Sequence, residues 1–512
     1  MKKQFIRTRK VRFAVITAVL TALVITVAVL TNAVFGTLAK RYGWYVPMLA
    51  KQNYDVTEDC FALLGEAFEN QSGAKAEIIF CDLAENLTAD STKRYVYETA
   101  SSLVERYPEN LTLSCYDIWT NPNTVRQYTT TVNPLTGETV DTTLKSSSVI
   151  ITSGEYHRVY ALEDFFVFKG GDTSQLWAYN GERKLAAGVM RAIAEEERVV
   201  CLTSNHGEVF YDYELLYLLD DAGYTIAYID LYKDQIPDNC EMIISYNPNA
   251  DLIADDEMSA VSETAILEDF LSKDGHSFWV FVENGTPELP YMESYLEEWG
   301  VDFSYYESTA TNAKYRYMVQ DSTQSLTSDG YTIYGSPVES GRSAELLEGL
   351  SRKVVFKNAT AMKAAQGFIA NGDGSFAKGD RTVYSLYESG ENAVSWANGK
   401  PISGEGAMLM ALTEQKTGSG SSFVGVISSV DFSAEEFLQS AVYGNGDAFL
   451  HMLKNLGKEN VPEGLTIKPF ESTDISTVTT ADMLRWTLVL SILPAVIITA
   501  TAVTVLVRRR RA

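Results

Sequence analysis

Phe13 to Phe35 is a run of 23 residues without a charge, and Trp486 to Val507 is a run of 22. Nothing else constrains a chain this strongly, because a helix rising about 1.5 Å per residue crosses a hydrocarbon core of roughly 30 Å in some 20 residues. Lys2, Lys3, Arg7, Arg9, Lys10 and Arg12 precede the first run, and Arg508, Arg509, Arg510 and Arg511 follow the second. Basic flanks of this kind stay cytoplasmic. The pattern predicts a two-pass protein of the cell (cytoplasmic) membrane, with transmembrane helices over 13–36 and 486–507 in the lipid bilayer. Residues 1–12 and 508–512 would be cytoplasmic basic tails, and residues 37–482 extracytoplasmic. The first run exceeds the apolar stretch of about 7–15 residues in a signal peptide, and no A-x-A site follows, so it reads as an uncleaved anchor. Neither run holds an ionisable residue, which predicts anchors rather than a transport path.

The chain carries 42 Lys+Arg against 67 Asp+Glu, and eleven of the basic residues stand in the two terminal segments. Residues 37–482 are left with a net charge of −36. So acidic a surface repels the phosphate backbone, and no nucleic-acid partner is expected. The five cysteines (Cys60, Cys81, Cys115, Cys201 and Cys240) form no C-x-x-C. Cys81, Cys115 and Cys201 lie in apolar strand patterns and read as buried thiols, while a bridge such as Cys60–Cys240 stays open.

Between the anchors the patterns predict an α/β ectodomain in two parts. In residues 37–196, strand patterns at 77–81 and 111–116 flank a helical pattern at 91–107. A hairpin over 149–160 and a helix from Gly181-Glu182 to Ala194 follow. That order is thioredoxin-like, but Cys81-Asp82-Leu83-Ala84 stands where the redox motif would be, and a single thiol there cannot cycle a disulfide. In residues 197–470, strands near 199–202, 224–229, 242–244 and 278–282 alternate with helices at 210–221 and 255–271. This predicts a doubly wound, mostly parallel sheet of the Rossmann or glutamine-amidotransferase-like kind. Residues 300–400 give weak β signals, 407–412 and 423–427 look like returning strands, and 471–485 reads as a polar linker.

Asn205-His206-Gly207-Glu208 is the candidate ligand-binding site. It follows the first strand of the second part, where ligands of open α/β sheets bind. Imidazole beside carboxylate suits ligand contact or acid–base work, and the same residues also suit a loop that turns on Gly207 and caps the next helix. No nucleophile elbow and no phosphate-binding loop G-x-x-x-x-G-K-[ST] accompanies it, so no catalytic residue, cofactor or metal is assigned. Asn371-Gly372-Asp373-Gly374 lacks the downstream acidic ligand of a calcium loop and reads as a hairpin turn.

Several ordered patterns together resemble one family. Asp117-x-x-Thr120-Asn121-Pro122 looks like the D-x-x-x-N-P element of GldG-type proteins, auxiliary components of ABC transport systems first associated with gliding motility. Gly181-Glu182 and then Ser204-Asn205-His206-Gly207-Glu208 are similar to that family's "gE…tGHGE" passage, with Asn205 in place of the first Gly. Asp269-Phe270-Leu271-x-x-x-Gly275, Leu289-Pro290-x-x-x-x-Tyr295-Leu296-x-x-Trp299-Gly300 and Tyr443-Gly444-Asn445-Gly446-Asp447 continue the series in order. The resemblance implies a non-catalytic accessory subunit with separately encoded ABC permease and ATPase partners and a cell-envelope substrate. Two alternatives stand beside it: a hydrolase centred on His206 and Glu208, and a cell-wall scaffold or sensor independent of a transporter.

Overall fold

The structure is a computed structural model that describes residues 55–253, 262–403, 406–418, 420–458 and 461–470. The chain divides into two compact units, Met1–Gln52 and Asn53–Ala512, and every described residue belongs to the second.

Helix α1 (Glu58–Asn70) starts at Thr57, whose hydroxyl accepts from the Cys60 N–H. Strand β1 (Ala76–Phe80), helix α2 (Lys93–Arg106) and strand β2 (Leu111–Cys115) form a crossover unit, with β1 and β2 parallel. Strands β3 (Val149–Ser153) and β4 (Tyr156–Tyr160) turn on Gly154 and pair antiparallel, giving the order β2-β1-β3-β4. Side chains alternate across this sheet. Ile78, Phe80 and Ile151 meet α2 and helix α3 (Gly181–Ile193), while Ile79, Ile150 and Val159 pack with Tyr128 on the other face. The short strand Lys468–Pro469 returns to pair with Ala178 and Tyr179, just before α3.

A larger sheet follows. It is built from β5 (Arg198–Thr203), β6 (Tyr224–Ile229), β7 (Cys240–Tyr246), β8 (Ser277–Phe281), β9 (Arg381–Glu388), β10 (Met408–Lys416) and β11 (Ser421–Ile427). The spatial order is β6-β5-β7-β8-β11-β10-β9. The first five are parallel, and β10 and β9 are each antiparallel to the strand before. Strands covered on both faces must be apolar on both, which explains the unbroken run Phe278-Trp279-Val280-Phe281. Val200, Leu202, Met242, Ile244, Trp279 and Phe281 pack under helices α4 (Glu214–Asp221) and α7 (Asn445–Asn455). Cys201, Ile243, Phe278 and Val280 pack under α5 (Glu263–Leu271) and α6 (Pro290–Glu298). Gly425 on β11 lets the Trp279 ring lie against the neighbouring backbone, since a Cβ there would stand 2.2 Å from Trp279 Cε3.

The expected architecture, an α/β ectodomain of thioredoxin-like and doubly wound parts between two terminal transmembrane helices, is corrected in two respects. Among the described residues no helix is long and apolar enough to cross a membrane. The apolar runs 13–36 and 486–507, the tails 1–12 and 508–512 and the linker 471–485 lie outside the described residues. The described residues thus supply no spanning helix for a two-pass placement in the cell membrane with 37–482 extracytoplasmic. The body is also a mixed α/β assembly of many sheets, mostly strands, rather than a parallel sheet wound by helices. The reason lies in residues 300–400. Their short polar alternations pair antiparallel, as in Tyr305–Glu307 with Lys314–Arg316 and Val394–Ala397 with Lys400–Ser403. Antiparallel neighbours need only a turn between them, whereas a parallel pair needs a long crossover.

Candidate functional site

The carboxyl ends of β5 and β7 define a crevice. The next strand in sequence, β6, lies on one side of β5, and β7 lies on the other. The helices that follow go to opposite faces, α4 to one core and α5 to the other, which is the arrangement that opens a ligand crevice in α/β sheets. The loop 205–208 occupies it. Asn205 and Gly207 both have left-handed backbone (φ 81° and 69°), where asparagine and glycine are the tolerated residues. These two reversals expose Asn205 and Gly207 and turn the side chains of His206 and Glu208 inward. The N–H groups of Asn249 and Ala250 each donate to the His206 carbonyl at 2.7 Å, and Asn249 Nδ2 donates to the Gly207 carbonyl at 3.0 Å. The loop is therefore fastened to the segment that leaves β7.

His206 is 3 % exposed and sits between two carboxylates. Nδ1 lies 3.2 Å from Glu208 Oε1, and Nε2 lies 3.0 Å from Glu263 Oε2, on a residue with no exposed surface. Glu208 also accepts from the Thr203 hydroxyl at 2.7 Å and from the His206 N–H at 2.8 Å, and Glu263 Oε2 accepts from the Ile253 N–H at 2.6 Å. Burial opposes a charge on the ring, but hydrogen bonds to Glu208 and Glu263 outweigh it and push His206 up to about 9. Burial also disfavours the charged Glu208, yet the His206 hydrogen bond holds its carboxyl below the usual carboxylate range. Both ring nitrogens are engaged by carboxylates, which favours the protonated ring and fastens the loop, so the pair His206/Glu208 acts as a latch.

Beside the latch, Asn247 (φ 48°) ends β7 and faces Glu283, which follows β8. Asn247 Nδ2 donates to Glu283 Oε1 at 3.2 Å, the Tyr211 hydroxyl donates to the same oxygen at 2.7 Å, and Thr286 Oγ1 donates to Asn247 Oδ1 at 3.2 Å. Val209, Tyr211 and Tyr213 form an exposed rim on this edge. Sequence reading misses Glu263, Glu283 and Asn247 as members of the site. Asn247-Pro248 is a turn signal that marks the end of β7, and nothing local marks the two glutamates.

The other motif residues are not brought to this crevice. Asp117 accepts from the Trp119 N–H and the Thr120 hydroxyl, both at 2.9 Å, and closes its own turn. Glu182 is buried, accepts from the Thr57 N–H at 2.7 Å and pairs with Lys468, so it joins α1 to the returning strand. Asn445 bridges Val355 and Phe432 through hydrogen bonds of 2.8 to 3.0 Å, and Asp447 pairs with Arg352. Asp373 accepts from the N–H and hydroxyl of Ser375 and shapes the turn between Ile369–Ala370 and Phe376–Lys378. All five cysteines are free, and Cys60 and Cys240 lie in different cores.

No family model matches the chain, and no curated protein matches it, so the resemblance to GldG-type proteins has no match behind it. Among solved structures the chain is similar to one described as "mmIFT52 N-terminal domain", at 12 % identity over 51 % of this chain and 97 % of that chain, with a TM-score of 0.35. It is also similar to "Structure of PurLQS from Thermotoga maritima", at 15 % identity over 51 % of this chain and 100 % of that chain, with a TM-score of 0.28. Likenesses at these scores carry no argument about function.

Proposed function

We propose that this chain is a non-catalytic accessory subunit of an ABC-type transport system, in which the carboxyl edge of the large sheet contacts a permease, an ATPase or their substrate. The observation that carries the reading is the latch. His206, engaged at both ring nitrogens by Glu208 and Glu263, stiffens a loop that presents Asn205 and Gly207 outward. A rigid presented loop beside an exposed Tyr211 and Tyr213 rim suits recognition, for which tyrosine supplies contact area at low entropic cost. The ordered resemblance of the sequence to GldG-type proteins supplies the partner class.

The test is affinity purification of the tagged full chain from detergent-extracted cells, read by mass spectrometry. An ABC ATPase and its permease should co-purify, and Tyr213→Ala combined with Asn205→Gly should reduce their recovery without moving the unfolding midpoint. Recovery of the chain free of both subunits would overturn the proposal.

A further inference from the structure

A cavity of about 680 Å³ lies away from the 205–208 loop, lined by the start of α3, by α4, by the segment after β4 and by Glu435 to Gln439. Asn180 stands at the N-cap position of the 13-residue helix α3, yet its side chain caps nothing. The residue is 5 % exposed, and its Oδ1 has no hydrogen-bond partner. One turn on, Arg183 is 6 % exposed and its Nε likewise has no hydrogen-bond partner, standing 3.6 Å from Asp221 Oδ2 in an ion pair. Buried polar side chains in folded proteins are nearly always hydrogen-bonded, so two such groups at one helix start, facing one cavity, point to a missing ligand.

The charges of the cavity define that ligand. Arg158 and Arg191 both engage Asp220, at 2.7 and 2.9 Å, and Lys184 engages Asp221 at 2.6 Å. Lys145, Arg158, Arg183 and Lys184 line the cavity with Asp141, Glu163, Asp220 and Asp221, and Arg183 and Lys184 stand in the first turn of α3, where the helix dipole also favours an anion. The same cavity carries Asp164, Glu214 and Glu435. Burial raises the carboxyls of all three, that of Glu214 to about 7 although Gln439 donates to it. A bare anion would be repelled by these three, and a bare cation by Arg183 and Lys184. A molecule with both charges satisfies both sets.

We propose that this cavity binds a small zwitterion, an amino acid or short peptide, with its carboxylate on Arg183 and its ammonium group donating to Asn180 Oδ1 and Glu214. The volume lies within the range of about 300–1,000 Å³ usual for small-molecule sites. Arginine is suited to the carboxylate because its planar fork matches two oxygens at once. This site goes beyond the accessory-subunit reading and does not depend on it.

Isothermal titration calorimetry of the full chain with L-alanine and L-alanyl-L-alanine, set beside acetate, ethylamine and inorganic phosphate, tests the proposal. One of the two zwitterions should bind at least 100-fold more tightly than acetate, ethylamine or phosphate. Arg183→Gln and Glu214→Gln should each weaken that binding at least tenfold, with circular dichroism unchanged. Absence of binding by both zwitterions, equal binding of acetate or phosphate, or wild-type affinity in Arg183→Gln would each overturn it. If Arg183→Gln does not fold, Glu214→Gln decides alone, and unchanged affinity there overturns the assignment.

Discussion

A histidine two residues from a glutamate reads as acid–base machinery until its second nitrogen is placed. In this chain that nitrogen meets Glu263, 57 residues further on, and the buried ring has a carboxylate on each nitrogen. Because the folded pKa of about 9 lies above the ordinary 6.5, the folded state holds the proton more tightly. The latch therefore stabilises the fold fully below about pH 6.5, and its contribution is lost as pH rises through about 9, by no more than about 3 kcal/mol. Urea midpoints measured from pH 6 to 10 should fall across that window in the wild type, and His206→Gln should flatten this part of the profile. The thiols make a second residue-scale prediction. Burial pushes the Cys81 thiol up to about 11 and raises Cys115 as well, so neither is a ready thiolate at neutral pH. Iodoacetamide should label the native chain slowly and reach the half-buried Cys115 before the other four; rapid labelling of Cys81 would contradict this.

At the scale of elements, burial on two faces governs the large sheet. The run Phe278 to Val282 is apolar throughout because α5 and α6 cover one side and α7 the other, and the Trp279 ring fits only because β11 carries a glycine beside it. Gly425→Ala should cost about 1–3 kcal/mol or more through overpacking, read as a lower urea midpoint at unchanged slope. Such strands are legible in sequence: Val199 to Leu202 falls inside Arg198–Thr203, and Phe423 to Ile427 inside Ser421–Ile427. Helix starts are less so. A helix expected from 210 begins only at Glu214, because Phe210 stacks on Tyr246 at 4.3 Å and Tyr211 reaches Glu283.

At the scale of the whole molecule, Asp220 joins three elements. It takes both nitrogens of Arg158 on β4 and one of Arg191 on α3, while itself lying on α4 of the larger sheet. All three side chains are largely removed from solvent, and taking away one partner of such a network strands the remaining charges, at about 3–5 kcal/mol. Asp220→Ala should lower the calorimetric midpoint and split a single transition into two, as the smaller sheet uncouples from the larger. Retention of one transition at the wild-type temperature would show that Asp220 does not join them.

The sequence by itself determined the apolar strands, the turn at 205–208 and the acidic character of residues 37–482, because each depends on neighbours along the chain or on simple counts. Tertiary structure alone decided that His206 would meet Glu263, that Asn180 and Arg183 would share a cavity with Glu214, and that β9 and β10 would run antiparallel to β11. Those outcomes depend on which strand lies beside which, and pairing between residues tens to hundreds of positions apart leaves no mark in local composition or periodicity.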